Sequence, residues 1–244
     1  MRPALLPLIL AAPALAQQVP IADPGFENLA QSACGFSAAF APAGWVIESG
    51  GAAGTWRPGT CWDITPFEGL QVGFSNGSPV AQHLTTNAMP GASYTLSFAV
   101  GARNHSCCTF SSATVQLLVN TTGIGALTIS GSSAPAPGTW RRYSITASAP
   151  TSLPANPYLA IRFSSPGSQA DFDSFFLEFT PSCGTADFNN DGDSGTDADI
   201  EAFFACLAGN CCATCQSADF NFDGDTGTDA DIEAFFRVLA GGSC

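Results

Sequence analysis

The chain has 244 residues, with 20 acidic side chains against seven basic ones and a net charge of −13. It contains no lysine and no basic stripe, which excludes nucleic acid as a partner. Ten cysteines, an even number, point to an oxidising compartment and a disulfide framework.

Residues 1–16 read as a secretory signal: Arg2, an apolar run from Leu5 to Leu15, and Ala14-Leu15-Ala16 before Gln17. The run is too short to cross a bilayer and no later segment could, so a secreted or cell-surface chain without a membrane span is expected.

Residues 19–180 are rich in Gly, Pro, Ser and Thr, with short β-prone runs between turn signals. Strands are expected over 70–74, 80–84, 94–100, 114–119, 127–129, 140–147, 158–163 and 172–179. Tyr94-Thr-Leu-Ser-Phe-Ala-Val alternates with the period of a half-buried strand. Strand runs at this spacing predict a mainly β fold, a two-sheet sandwich. Pro24-Gly-Phe-Glu27, Gly44-Trp45, Ala81-Gln-His-Leu, Trp140-Arg-Arg-Tyr and Phe172-Asp173-Ser-Phe-Phe-Leu resemble the galactose-binding-like jelly rolls, which include many carbohydrate-binding modules. That resemblance implies a structural calcium shared by Glu27 and Asp173; the alternative is two exposed carboxylates at strand ends. It also places Trp45 and Trp140 in the core.

Sugar recognition needs an exposed aromatic platform beside polar groups. Trp56, Arg57, Trp62 and Asp63 lie in a Gly/Pro-rich stretch around Cys61 and are the ligand candidates. The alternative is a loop pinned by a disulfide with its tryptophans packed beneath. Gly73-Phe-Ser75-Asn-Gly77 fits a nucleophile-elbow pattern, but a strand follows it, and His83 and His105 both precede Asp171 and Asp173. With no catalytic carboxylate pair recognised, the body is expected not to be an enzyme.

From Cys183 onward there are twelve acidic residues against Arg237 alone, a net of −11. Asp187-Phe-Asn189-Asn-Asp191-Gly-Asp193 returns as Asp219-Phe-Asn221-Phe-Asp223-Gly-Asp225, each copy running into Gly-Thr-Asp-Ala-Asp-Ile-Glu-Ala-Phe-Phe. Oxygen ligands at positions 1, 3 and 5 with glycine at 6 match the spacing of an EF-hand-type calcium loop. Like charges about 4 Å apart repel by roughly 4 kcal/mol at an effective dielectric near 20, so the loops are expected to need a cation to close. One helix is expected after each loop, capped by Thr196 or Thr228. Its apolar stripe would be Ile200, Phe203, Phe204 and Leu207, or Ile232, Phe235, Phe236 and Leu239.

Two loop-plus-helix halves (187–212 and 219–244, within 183–244) resemble a dockerin. The resemblance implies that Asp187, Asn189, Asp191 and Asp199 hold one calcium, and Asp219, Asn221, Asp223 and Asp231 a second. Asp193 and Asp225 would each add a backbone carbonyl. It further implies a cohesin-like or cell-envelope partner. Repeat symmetry suggests bridges 183–212, 215–244 and 206–211 in the tail, with Cys34, Cys61, Cys107 and Cys108 pairing in the body. The expectation is therefore a secreted, non-catalytic, calcium-binding protein, with a polysaccharide-binding head and an attachment tail. A structural surface or matrix protein without a glycan ligand, or a component of polysaccharide degradation, is the alternative.

Overall fold

The computed structural model describes residues 16–41, 44–59, 64–106 and 108–242. Residues 1–15 of the signal-like segment, and Cys61, Trp62, Asp63, Cys107 and Cys244, lie outside the described residues. The chain divides into two compact units, one of 17–88 with 92–179 and one that includes 89–91 and 180–244.

The first unit is a β-sandwich. Its strands are β1 (Gln17–Val19), β2 (Phe36–Ser37), β3 (Val46–Ile47), β4 (Ala52–Trp56), β5 (Val72–Asn76), β6 (Val80–Asn87), β7 (Ser93–Ala102), β8 (Ser112–Val119), β9 (Thr122–Ser130), β10 (Thr139–Ser148), β11 (Tyr158–Ser164) and β12 (Gln169–Thr180). One sheet runs β10-β7-β12-β5-β4-β2, with β1 beside β12; the other runs β3-β6-β11-β8-β9. The alternation in β7 does what its period dictates: Tyr94, Leu96 and Phe98 are buried, while Thr95 and Ser97 are only partly covered.

Aromatic rings fill the space between the sheets. Phe163 of β11 lies 4.3 Å from Phe172 of β12 and 5.3 Å from Trp45. Phe26 packs 5.3 Å from Trp45, and a Cβ on Gly73 would stand 2.7 Å from the Phe26 ring. Glycine at that point of β5 is thus a packing requirement. Because Gly73 and Phe172 face the interior, their neighbours Val72, Phe74 and Asp171 point to the other face of the first sheet. There Trp56, Ile64, Val72 and Phe74 form a second apolar cluster, with Trp140 against it. Trp140 is therefore half-buried on the outer face, its indole N–H donating to the Thr65 carbonyl at 2.7 Å.

The second unit carries α1 (Asp197–Leu207) and α2 (Asp229–Leu239). Phe188, Phe203, Phe220 and Phe235 are fully buried together, and Phe203 stacks on Phe235 with centroids 4.1 Å apart. Phe204 and Phe236 do not belong to the inner stripe, being 45 % exposed each. The loop phenylalanines Phe188 and Phe220 take their place in the core, so each helix needs to bury only a narrow face.

The acidic loops close on their own backbone. Asp187 accepts from the Gly192 amide at 3.1 Å, Asn189 from Asp191 at 3.0 Å, and Asp191 from Asp193 at 2.9 Å. Asp199 is fully buried; it accepts from the Phe188 amide at 2.7 Å and from the Thr196 amide and hydroxyl at 2.8 Å each. Asp231 repeats this with Phe220 at 2.7 Å and Thr228 at 2.8 and 2.9 Å. In the second loop Asp219 accepts from Gly224 at 3.1 Å, and Asp223 accepts from Asp225 at 2.9 Å.

Cys206 is bonded to Cys211 and Cys212 to Cys215. The proposed bridges 183–212 and 215–244 therefore do not form. A turn in which the Cys215 amide donates to the Cys212 carbonyl at 3.2 Å holds those two cysteines together. Cys34, Cys108 and Cys183 are disulfide-bonded as well.

Candidate functional site

Polar side chains converge on the outer face of the first sheet and are buried there, beside the second apolar cluster. Gln169 and Asp171 alternate along β12 and so share that face. Asp171 is 0 % exposed. It accepts from the Trp56 indole N–H at 2.9 Å, and from Arg103 Nη2 at 3.1 Å and Nε at 3.2 Å. The Arg103 guanidinium lies over Trp56, its Cζ 3.7 Å from the ring centroid. With its amide oxygen turned inward, Gln169 accepts from Arg103 Nη1 at 3.2 Å. Burial pushes the Asp171 carboxyl above its ordinary range, against the opposing pull of the Arg103 charge and the two donors.

A cavity of about 260 Å³ opens beside this group, lined by Phe36, Ala38, Ala52, Trp56, Phe74, Asn76, Arg103 and Gln169, with Cys34 and Cys108. Phe36, 73 % exposed, stands at its rim. Arg103 also lines a neighbouring hollow of about 490 Å³ with Asn104, His105, Ser106, Thr109 and Phe110. The arrangement pairs an apolar, aromatic slot with one buried, hydrogen-bonded carboxyl, a setting for proton transfer away from water.

A second cluster lies elsewhere on the same unit. A cavity of about 670 Å³ is lined by Asp23, Glu27, Glu68 and Asp173, with Arg142 beside them. Asp173 accepts from the Ser174 amide at 2.7 Å and from Glu68 N–H at 3.0 Å, and Glu27 from Leu70 N–H at 2.8 Å. Burial pushes Asp173 up to about 7, and the charges of Glu27 and Glu68 add to it. Asp23 Oδ2 is buried with no hydrogen-bond partner among the described residues. No group of three or more His, Cys, Asp or Glu side chains is arranged to hold a metal ion among the described residues.

Of the ligand candidates, Trp56 lines the apolar cavity, while Arg57 turns away, its guanidinium donating to the Gln31 carbonyl at 3.4 Å. Trp62 and Asp63 fall outside the described residues. Ser75 is structural: fully buried, its hydroxyl donates to the Ser78 carbonyl at 2.7 Å and accepts from the Ser165 amide at 3.0 Å. Sequence reading missed Arg103, Gln169 and the role of Asp171. The available signal was a strand reading Asp171-Phe-Asp173, in which charge alternates with apolar residues expected to face a core.

Residues 17–178 match the family model described as HpiC1-like, HpiC1 cyclase. Among solved structures, an apo cyclase from Fischerella sp. shares 22 % identity at a TM-score of 0.58, over 67 % of this chain and 96 % of that one. The Stig cyclase Fisc from Fischerella sp. TAU shares 20 % identity at 0.57, over 68 % and 99 %. These likenesses show a shared fold. No curated protein matches the chain.

These matches correct the functional reading. The family match covers the β-sandwich and is to a cyclase, an enzyme, so the head is not assigned as a non-catalytic carbohydrate-binding module. Nothing in the comparisons supports a dockerin or an EF-hand in the tail. There the last carboxylate of each loop, Asp199 or Asp231, is committed to backbone amides and a threonine hydroxyl.

Proposed function

This chain belongs to the HpiC1-like cyclase family, and from that premise we propose that it is an enzyme that closes a ring in an apolar, unsaturated small molecule at the Trp56–Arg103–Asp171 face. The observation that carries the reading is Asp171, a carboxyl sealed from water and held by two side chains that form the wall of the apolar cavity. Ring closure is an isomerisation: the proton lent to the electrophilic end must be recovered when the new carbon–carbon bond is made. One carboxyl can do both. Asp171 does not itself line the cavity but stands behind Trp56 and Arg103, so on this reading it protonates the unsaturated group where binding of the substrate parts that seam. The π electrons of the nucleophilic carbon form the bond, and the proton that carbon releases returns to the Asp171 carboxylate. Trp56, Phe74 and Phe36 supply flat apolar walls that fold the substrate and keep water from capturing the intermediate.

The Stig cyclase Fisc holds (3Z)-3-(1-methyl-2-pyrrolidinylidene)-3H-indole, and a cyclase from Fischerella sp. TAU holds 4-(1H-indol-3-yl)butan-2-one. A bicyclic aromatic with a short arm suits a slot of about 260 Å³, at the small end of ligand pockets. The test is incubation of the oxidised protein with indoles carrying an unsaturated side chain, watched by chromatography for a new product of unchanged mass. Asp171→Asn should slow formation of that product about 10²–10⁴-fold.

Calcium is proposed at Glu27 and Asp173, where carboxylates crowd together and Asp23 Oδ2 lacks a partner. A bound cation there would pin the Pro24–Glu27 segment against β12. Calorimetric titration of chelator-treated protein tests it, and Asp173→Asn should remove the heat. Export is proposed from the signal-like residues 1–16 and the disulfides Cys206–Cys211 and Cys212–Cys215, which suit an oxidising compartment. Fractionation of expressing cells, before and after deletion of residues 2–16, tests that proposal.

A further inference from the structure

Phe36 and Trp56 stand directly opposite each other in the β2–β4 pairing, so both side chains point to the same face of the sheet, and both line the apolar cavity. Their surroundings differ sharply. Trp56 is 1 % exposed, with Arg103 over its ring, whereas Phe36 is 73 % exposed at the mouth of the same slot. The backbone that carries Phe36 is fixed on both sides. Before it, the Cys34 amide donates to the Arg57 carbonyl at 3.0 Å, the Arg57 amide donates to the Gly35 carbonyl at 2.9 Å, and Cys34 is disulfide-bonded. After it, the chain passes so close to β4 that a Cβ on Gly54 would collide with the Ser37 carbonyl oxygen. With the strand held in this way, the freedom left to Phe36 is rotation of its ring about the side-chain bonds.

We infer that Phe36 is the specificity-determining residue of this cavity: its ring turns down over a bound ligand and stacks on it, so the site favours flat aromatic ligands over saturated ones of the same carbon skeleton. The inference rests on the cyclase reading only in taking this cavity as the ligand site. The apolar lining of Ala38, Ala52 and Phe74 rewards any hydrophobic skeleton that fits, because apolar burial has no direction. Stacking does discriminate, since it needs a flat partner. The Trp56 face beneath Arg103 is already occupied, while the Phe36 ring has open surface to offer. The same movement suits the proposed chemistry, for a ring closed over the mouth keeps water out and turns an electron-rich face to a developing positive charge.

The experiment titrates two neutral ketones calorimetrically into the full oxidised chain: 4-(naphthalen-1-yl)butan-2-one and its saturated counterpart, 4-(decahydronaphthalen-1-yl)butan-2-one. Burial alone would not favour the aromatic compound, because the saturated one has at least as much apolar surface. With stacking, wild type should bind the aromatic ketone about tenfold more tightly. Phe36→Leu, which keeps an apolar side chain without a flat face, should shrink that ratio to below about threefold, and Phe36→Tyr should retain it. At so exposed a position both variants should unfold in urea at the wild-type midpoint, so a changed ratio reports the ligand contact and not the fold. Equal or tighter binding of the saturated ketone by wild type, failure of both compounds to bind, an unchanged ratio in Phe36→Leu, or a lost preference in folded Phe36→Tyr would each overturn the inference. A preference that depends on Phe36, without ring closure of any substrate, would leave it standing and sink the cyclase reading alone.

Discussion

The Arg103 guanidinium carbon stands 3.7 Å over the Trp56 ring centroid, and both side chains donate to the same carboxylate, Asp171. Each side chain thereby fixes the other two. Trp56 comes from β4, Arg103 from the segment after β7 and Asp171 from β12, so three strands of one sheet are locked at the point where the cavity opens. Removing any one member leaves a buried polar group without its partner, which costs more than the contact itself contributes.

Trp56→Phe keeps the aromatic wall but deletes the N–H that reaches Asp171 at 2.9 Å. A hydrogen bond to a charged group contributes about 1.5–3 kcal/mol, so urea unfolding of the head should shift by that amount. Trp56→Ala, which also opens a cavity, should cost about 3–5 kcal/mol.

Gly73→Ala is expected to destabilise the sandwich, because its Cβ would stand 2.7 Å from the Phe26 ring and both lie in the packed interior. Overpacking of this kind costs about 1–3 kcal/mol, readable as a lowered urea midpoint with an unchanged slope.

Burial, with the charges of Glu27 and Glu68 beside it, pushes the Asp173 carboxyl from an ordinary value of 3.8 up to about 7. A raised carboxyl contributes stability that is complete below the ordinary value and is lost as pH rises through the folded one. In chelator-treated protein the melting temperature of the head should therefore fall between about pH 4 and pH 8, by on the order of 2–4 kcal/mol in stability. Asp173→Asn should flatten the fall, and added calcium should oppose it in wild type alone.

Phe235→Ala should melt the tail's helices. Phe235 is fully buried and touches Phe188, Phe203 and Phe220, so its removal costs about 3–5 kcal/mol in a unit with a small core. Phe236→Ala, at a position 45 % exposed, should cost less than about 1 kcal/mol. Far-ultraviolet circular dichroism during thermal unfolding distinguishes the two.

What could be read from the chain alone was what its local periods encode. The alternation of Tyr94, Leu96 and Phe98 foretold β7, and Thr196 three residues before Asp199 foretold the start of α1. The active face was harder to read, because its members are remote in sequence: Arg103 lies 68 residues before Asp171, and Trp56 lies 115 before it. Nothing in the neighbours of Asp171 says which distant cation will meet it. The tail differs: its dockerin resemblance rests on local aspartate spacing alone, and the family match ends at residue 178, before the first acidic loop. Phe204 and Phe236 were misplaced because adjacent phenylalanines fit one helical stripe equally well until the packing of Phe203 against Phe235 selects between them.

The most direct measurement of the central claim is product analysis with an indole bearing an unsaturated side chain, comparing wild type with Asp171→Asn. The expected result is a ring-closed isomer of unchanged mass from wild type, with formation about 10²–10⁴-fold slower in a folded Asp171→Asn variant. Equal formation by both proteins would contradict the role given to Asp171. If no ring-closed product forms from any neutral substrate that demonstrably binds the cavity, the cyclase assignment itself fails.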